Sequence, residues 1–409
     1  MKKTLSTMLI GSMLLFPVPA LATDDDDELI HSLRFDKIEE EMEQHSPLIL
    51  NASDSISDAS SDLSDMEDGL EMALASLNAQ KTTFTTEIGT LTAKATAPGA
   101  TASDIEVYNS LIKLYTYMLI DLEINIANME KQIDSVDDQQ GDMWKSWLQV
   151  EQGKSQAIWG AQQAFLSYFD LTQTRDDLQN NLTLLQKKLT VLQLKESLGL
   201  GTNVETRGTE MQIKELGLTL DSLNKGLETI KGQLNVMLGQ DFDTELSLTE
   251  PSSISTSKIR AMDYEEDLEE ALVQSYNVRL QEESDDREDA ERNFTLSFHQ
   301  AYQSVQDKKK ALELEQYKLS YEQVKYDQAV IMNSLGLTST LEFEGLRSAY
   351  ITQVNKVKTA QQDLLQAYTA YDWMMKGLTV SSSSGTAGAS AGATSAQSTP
   401  SAAPSGMGS

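Results

Sequence analysis

The sequence predicts an all-α fold: long antiparallel coiled-coil helical hairpins in two structural repeats, with little or no β-structure. Three observations predict it. The phrase SLGLGTNVETRG, Ser197–Gly208, returns as SLGLTSTLEFEG, Ser334–Gly345, with six of twelve positions identical 137 residues apart. Apolar residues around each phrase recur at alternating steps of three and four, the period of a left-handed coiled coil. Each phrase is followed by a second glycine, Gly239 lying 40 residues after Gly199 and Gly377 lying 41 after Gly336. Equal lengths closed by glycine suit two copies of one supersecondary unit.

The chain of 409 residues opens MKKTLSTMLIGSMLLFPVPALA. Lys2 and Lys3, a short apolar core Leu9–Phe16, Pro17 and Pro19, and Ala20-Leu21-Ala22 make a secretory signal peptide over 1–22, too short to span a membrane. The mature chain then begins near Thr23, with export into the cell envelope. No cysteine occurs, which excludes a lipid anchor on cysteine, disulfides, zinc-thiolate sites and thiol catalysis together. Removing the leader takes the formal charge from −31 to −33. Such a surface repels nucleic acid and anionic lipid. No second apolar run reaches 18 residues, so no mature transmembrane helix is expected.

A first repeat is expected over 23–240. FDKIEEEMEQHSPLIL, Phe35–Leu50, is an acidic amphipathic helix start, a polar break and a longer helix. Leu171, Leu178, Leu182, Leu185, Leu189 and Leu192 form a seam approaching the first phrase. Ile213, Leu216, Leu220, Leu223, Leu227, Ile230, Leu234 and Met237 leave it. Two such stripes joined by a short turn make an antiparallel hairpin, because each must be buried against something. Asp241–Ile259 is Ser/Pro-containing and extended, within a linker over 241–263. A second, shorter repeat follows over 264–378. YEEDLEEALVQSYNVRL, Tyr264–Leu280, weakly repeats the opening of the first. Leu314, Tyr317, Tyr321 and Val324 approach the second phrase; Tyr350, Val354, Val357, Leu364, Tyr368 and Tyr371 leave it, with Gln361 as a polar break. From 379 to 409 Ser, Ala, Gly, Thr and Pro dominate, the composition of a disordered tail.

The phrases are helical-hairpin tips. Gly199 and Gly336 stand where an incoming helix must stop, and glycine takes the left-handed conformation cheaply. Thr202-Asn203 and Ser339-Thr340 supply side-chain oxygens to cap the next helix. Leu198/Leu200 and Leu335/Leu337 are expected to cover the turn. Gly208 and Gly345 fall inside the outgoing helix, at about 1 kcal/mol each against alanine. That cost points to close helix approach, within the protein or by a partner.

With those residues in view, the chain resembles the TolC-like outer-membrane efflux and secretion ducts. The likeness is carried by Leu198, Gly199, Leu200, Thr202, Val204, Glu205 and Gly208, and again by Leu335, Gly336, Leu337, Ser339, Leu341, Glu342 and Gly345. The resemblance implies a homotrimer forming a hollow helical cylinder. It implies a passive conduit, not an enzyme, without cofactor. Its tips would close the periplasmic mouth and open on docking a periplasmic adaptor bound to an inner-membrane pump. Leu198, Gly199, Leu200, Thr202, Glu205 and Gly208, with Leu335, Gly336, Leu337, Ser339, Glu342 and Gly345, would then be docking and gating residues.

One departure stands out. Family members add four strands per chain to a membrane barrel, and such strands need about 10 residues of alternating polarity. Only 62 residues separate Gln274 from Gly336, and they read as charged helix, with ESDDREDAERN where a strand pair would lie. The first half has 155 residues from Gln44 to Gly199, including TTFTTEIGTLTAKATAPGATAS. That stretch reads as a polar loop between helices in preference to a strand pair turning at Pro98-Gly99. The rival reading is an exported coiled-coil scaffold with no channel.

Other constellations are weak. TDDDDE, Thr23–Glu28, lacks the glycine and spacing of a calcium loop. His31, His45 and His299 stand apart from one another at no metal-ligand spacing. No phosphate loop, G-x-S-x-G or H-E-x-x-H occurs. Trp144, Trp147 and Trp159 lie close in sequence, as core packing or, alternatively, as an aromatic belt at the distal end.

Overall fold

The computed structural model describes residues 29–98 and 100–380. The expected signal peptide, the acidic run Thr23–Glu28, Gly99 and the tail Ser381–Ser409 lie outside the described residues. Nine α-helices form within them: α1 Ile38–His45, α2 Pro47–Ala95, α3 Ala102–Ser197, α4 Asn203–Met237, α5 Thr256–Arg260, α6 Tyr264–Gln274, α7 Tyr276–Arg279, α8 Ser284–Ser334 and α9 Thr340–Met375. The strands among them are β1 Ser32–Leu33 and β2 Ser247–Leu248, paired in parallel with Ser32 opposite Ser247. The expected helical hairpins and near-absence of β-structure are what the chain shows.

Two halves share one plan. An acidic opening helix (α1, α6) breaks at a buried serine, Ser46 or Ser275, whose extended ψ turns the chain. A second helix climbs away, a long helix descends (α3, α8), and a shorter one returns (α4, α9). Both returns close on the same left-handed glycine cap. Gly239 has φ 78° and Gly377 φ 90°. The amide after each glycine reaches back five residues, Gln240 N to Asn235 O at 2.8 Å and Leu378 N to Trp373 O at 2.9 Å. Each glycine sits against the serine break of its own half. A Cβ on Gly239 would lie 2.7 Å from the His45 carbonyl oxygen; one on Gly377 would lie 2.5 Å from the Gln274 carbonyl carbon. The Gly377 carbonyl also accepts from the Tyr276 amide at 3.1 Å. Chain reversal and close backbone approach therefore fall at one spot, where only glycine fits.

Around these closures lies the main apolar core. Phe165 and Phe169 of α3, Leu234 of α4, Ile38 and Met42 of α1, Phe294 and Phe298 of α8, and Tyr371 and Met374 of α9 share it. The segment after α4 is more than a spacer. Asn235, fully buried, donates from Nδ2 to the carbonyls of Phe242 (3.2 Å) and Thr244 (2.7 Å), and β2 then pins β1.

Below the core four helices lie side by side: α9 packs between α8 and α3, and α3 between α9 and α4. The α4 seam Ile213–Met237 faces inward as expected. On α8 the structure corrects the expected seam. Val305, Lys308, Leu312, Glu315, Leu319, Glu322, Tyr326 and Ala329 are covered, while Leu314, Tyr317, Tyr321 and Val324 face outward. Two heptad stripes run along α8, and the less apolar one is used internally. Its ions find partners there: Lys308 reaches Asp363 at 2.7 Å, and Glu315 accepts from Gln353 at 2.7 Å.

Above the core the halves diverge, and a second expectation fails. The threonine-rich stretch is neither loop nor strand pair: α2 runs through it to Ala95, and α3 begins at Ala102. Leu63, Leu70, Leu77, Phe84, Ile88 and Leu91 on α2 meet Tyr108, Ile112, Tyr115, Leu119, Leu122, Ile126 and Val136 on α3, at steps of three and four or sums of the two. Threonine is a poor helix former because its β-branch loses rotamers. Here its hydroxyls are satisfied by the preceding turn, as in Thr82 to Asn78 O (3.0 Å), Thr86 to Thr82 O (2.8 Å) and Thr90 to Thr86 O (3.0 Å). Burial of the seam then decides the conformation. Thr101 and Asp104 close the turn as a reciprocal capping box. The second half has no counterpart: α7 has four residues, and α8 starts beside Lys145, which pairs with Glu282. The α2–α3 hairpin thus projects alone for about 60 Å beyond Trp144, at 1.5 Å per residue.

Candidate functional site

Among the places that present uncovered apolar residues are the paired tips and the two edges of the four-helix layer.

At the tips α3 ends at Ser197 and α8 at Ser334. Gly199 and Gly336 have φ 70° and 71°. Leu200 N bonds Lys195 O at 2.8 Å, and Leu337 N bonds Met332 O at 2.9 Å. These are the same caps as at Gly239 and Gly377, with one difference. A Cβ on Gly199 or Gly336 meets nothing within 4 Å. Leu198, Leu200, Leu335 and Leu337 do not cover the turns as expected: each is more than 60% exposed. The turns close by backbone hydrogen bonds, with the Ser197 and Ser334 hydroxyls donating to the Leu194 and Ile331 carbonyls at 2.7 Å each, and the leucines stay in solvent.

The two returning helices start differently. Ser339 accepts from the Glu342 amide at 3.2 Å, the expected cap. Thr202 makes no side-chain cap. Beyond it Thr206 donates to Glu196 Oε2 at 2.7 Å, tying α4 to α3 below the turn. Glu205 and Glu342 lie in the first turns of their helices, where the helix dipole favours an anion. Gly208 and Gly345 have nothing within 4 Å of an added Cβ, so no close approach within the chain accounts for them.

The edges belong to α8 and α4. On α8, Leu314, Tyr317, Tyr321, Val324 and Ile331 continue one heptad stripe, each between 52% and 74% exposed. On α4, Val204, Met211 and Leu218 recur every seven residues and are each more than 60% exposed. The α8 aromatics stand out in the sequence, where their spacing predicts an inward seam. The seven-residue step of Val204, Met211 and Leu218 is the sequence signal of the α4 edge.

Between the two hairpins the seam is polar. Trp373 Nε1 donates to Gln162 Oε1 at 2.7 Å, Asn355 Nδ2 to Asp177 Oδ1 at 2.7 Å, and Asn180 Nδ2 to Ser348 Oγ at 2.9 Å; Lys187 pairs with Glu344. At its centre Asp170 is pushed up to about 6 by burial and by Asp363, with Lys308 opposing. Burial also raises Asp177 and Asp372.

Among the described residues no group of three His, Asp or Glu side chains is placed to hold a metal, and no helix is long and apolar enough to cross a membrane. His45 lies 3.6 Å from Glu41, and His299 bonds Gln303 at 2.8 Å, each one turn away on its own helix. Trp159 packs against the core, whereas Trp144 and Trp147 are half exposed, with Arg279 over the Trp144 ring at 5.8 Å.

No protein-family model matches the sequence, and no curated protein matches it. Among solved structures the chain is similar to the CmeC outer membrane channel of Campylobacter jejuni, at 11% identity over 61% of this chain and 68% of that one, with a TM-score of 0.40. It is similar to the outer-membrane channel OprN at 12% identity, covering 61% and 72%, with a TM-score of 0.42. CusC, described with transmembrane channel formation, matches at 10% identity over 76% and 96%, with a TM-score of 0.39. At these identities and TM-scores the likeness assigns no function to this chain.

Proposed function

We infer that copies of this chain assemble edge to edge into a closed helical tube that serves as a passive, exported conduit of the cell envelope. One observation carries this reading: the four-helix layer is open, and both of its edges present unpartnered apolar stripes. An apolar heptad stripe in water is stable only when another helix covers it. The α8 edge and the α4 edge differ, so joining them is a heterologous contact, which closes into a ring when the rotation allows. Three copies is the number implied by the TolC-like resemblance. The exposed leucines at both tips lie together at the end where all four helices terminate. They suit docking by a helical-hairpin adaptor and, through it, an inner-membrane pump for efflux or secretion. The few strands among the described residues favour the scaffold as the second reading, in which the rods associate without enclosing a channel.

The test is the mass in solution of residues 23–380 by light scattering, for the parent and for a Tyr317→Glu/Tyr321→Glu variant. A trimer that falls to monomer in the variant, with unchanged helical circular dichroism, is expected. A parent that stays monomeric at all accessible concentrations overturns the tube. An assembly without conductance in lipid or detergent favours the scaffold.

A further inference from the structure

The seam between α3 and α9, where the two hairpins meet, is built mostly from polar side chains. Gln163, Asp177, Asn180 and Lys187 on α3 are bonded to α9. They belong to one line at steps of three and four that continues through Leu166, Asp170, Gln173 and Leu184, each buried or half-buried. Such a seam holds by hydrogen bonds and ion pairs more than by apolar burial, so its strength follows how completely those groups are paired. Toward the tips Asp177, Asn180 and Lys187 all have partners on α9, and toward the core Gln163 accepts from Gln366 and Gln162 from Trp373. Between these stretches pairing fails. Asp170 Oδ1, Gln173 Oε1 and both amide atoms of Gln362 are buried without a hydrogen-bond partner among the described residues. Gln173 and Gln362 are themselves more than nine-tenths buried, and Gln362 stands one heptad from Asn355 on the α9 face that meets α3.

Three ionisable groups from three helices meet at this gap: Asp170 of α3, Asp363 of α9 and Lys308 of α8, whose Nζ donates to Asp363 at 2.7 Å. Two carboxylates share one ammonium, which leaves a surplus negative charge at a largely buried place. Burial and Asp363 push the Asp170 carboxyl up to about 6, with Lys308 opposing. Helix α4 packs on another flank of α3. Its charges near this level are Lys225 and Glu228, both exposed, and Lys231, which lies over the Tyr168 ring at 5.5 Å. On α3 itself Arg175 pairs with Asp176 at 2.8 Å. Asp170 and Gln173 are three residues apart, neighbours on one helical face. The orphaned atom of each is an acceptor, and a carboxyl group supplies a donor only when protonated.

We propose that this cluster is a proton-operated latch between the two hairpins. With a proton on Asp170 the surplus charge disappears, and its O–H donates to the neighbouring Gln173 amide oxygen and completes the seam. When that proton leaves to solvent, two carboxylates again share Lys308, and α3 and α9 are held together less tightly at this level. Asp363 and Lys308 are partly exposed, so protons reach the cluster without unfolding. The latch lies within one chain and does not depend on the tube reading.

The native sequence has no cysteine, so two introduced ones can be labelled cleanly. Lys188→Cys on α3 and Ala349→Cys on α9, both at exposed positions, carry nitroxides in one chain. That chain is diluted into excess unlabelled chain, and double electron–electron resonance then reads distances within a chain. Raising the pH from 5 to 8 should broaden the parent distribution, with a midpoint at about 6. Asp170→Asn should keep the narrow distribution throughout. Asp363→Asn should lower the midpoint and Lys308→Met should raise it, each by about one pH unit. Parent-like helical circular dichroism at both ends of the range identifies variants that are folded. A parent distribution that does not change with pH overturns the latch, and so does a change that persists in Asp170→Asn. Light scattering on the same samples reads assembly separately: a pH response in a monomer removes the tube alone, and a trimer without one removes the latch alone.

Discussion

Alanine at Gly377 and alanine at Gly336 should have very different costs, although both glycines cap helices with positive φ. At Gly336 (φ 71°) a Cβ enters open space. The penalty is then only the left-handed conformation, about 1–2 kcal/mol. At Gly377 (φ 90°) the Cβ also overlaps the Gln274 carbonyl and lies 3.1 Å from the Ser275 amide nitrogen. The break between α6 and α7 has to move, and its hydrogen bond from Tyr276 to the Gly377 carbonyl moves with it. Overpacking of this kind adds about 1–3 kcal/mol, so Gly377→Ala should cost about 2–5 kcal/mol in all. Urea unfolding followed by helical circular dichroism measures the difference: at equal slope, the Gly377→Ala midpoint falls well below that of Gly336→Ala. Equal midpoints would refute the assignment of Gly377 as a packing contact between the end of one helix and the start of another.

Other expectations follow from the same contacts. Replacing Asp170 by Asn should stabilise the fold at pH 8 by up to about 2 kcal/mol, discounted for partial exposure. The wild-type carboxyl has its pKa raised to about 6, so its favourable protonated form is fully present below about pH 4 and lost as pH rises through 6. The advantage of the variant should therefore vanish at pH 4, which parallel melts at the two pH values check. Asn235→Ala leaves the Phe242 and Thr244 carbonyls without their donor and should cost about 1–3 kcal/mol. Faster amide exchange over 241–248 would register it first.

Much of this architecture was legible along the chain because periodicity and glycine spacing are local. The duplicated tips, the α4 seam and the glycine closures could be seen before any packing was known. Two features were not. On α8 two heptad stripes compete, and hydrophobicity alone points to Leu314–Val324. Only the positions of Asp363 and Gln353 on α9 show why Lys308 and Glu315 face inward. In the threonine-rich stretch composition argues against helix and favours a polar loop, but the seam opposite it lies some 20–40 residues further along on another helix. Phe84, Ile88 and Leu91 carry the helical period; their weight was masked by the threonines between them. At the tips the glycines were readable, while the outward aim of the leucines depends on backbone bonds that already satisfy the turn.

Helix α3 runs unbroken for 96 residues, about 144 Å. It passes through the core near Phe165, leaving about 48 Å on the tip side and about 95 Å on the other. A stiff beam pivoted there is an unequal lever. Any tilt that shifts the tip by a given distance sweeps the far hairpin through roughly twice that distance in the opposite direction, with no joint between to absorb it.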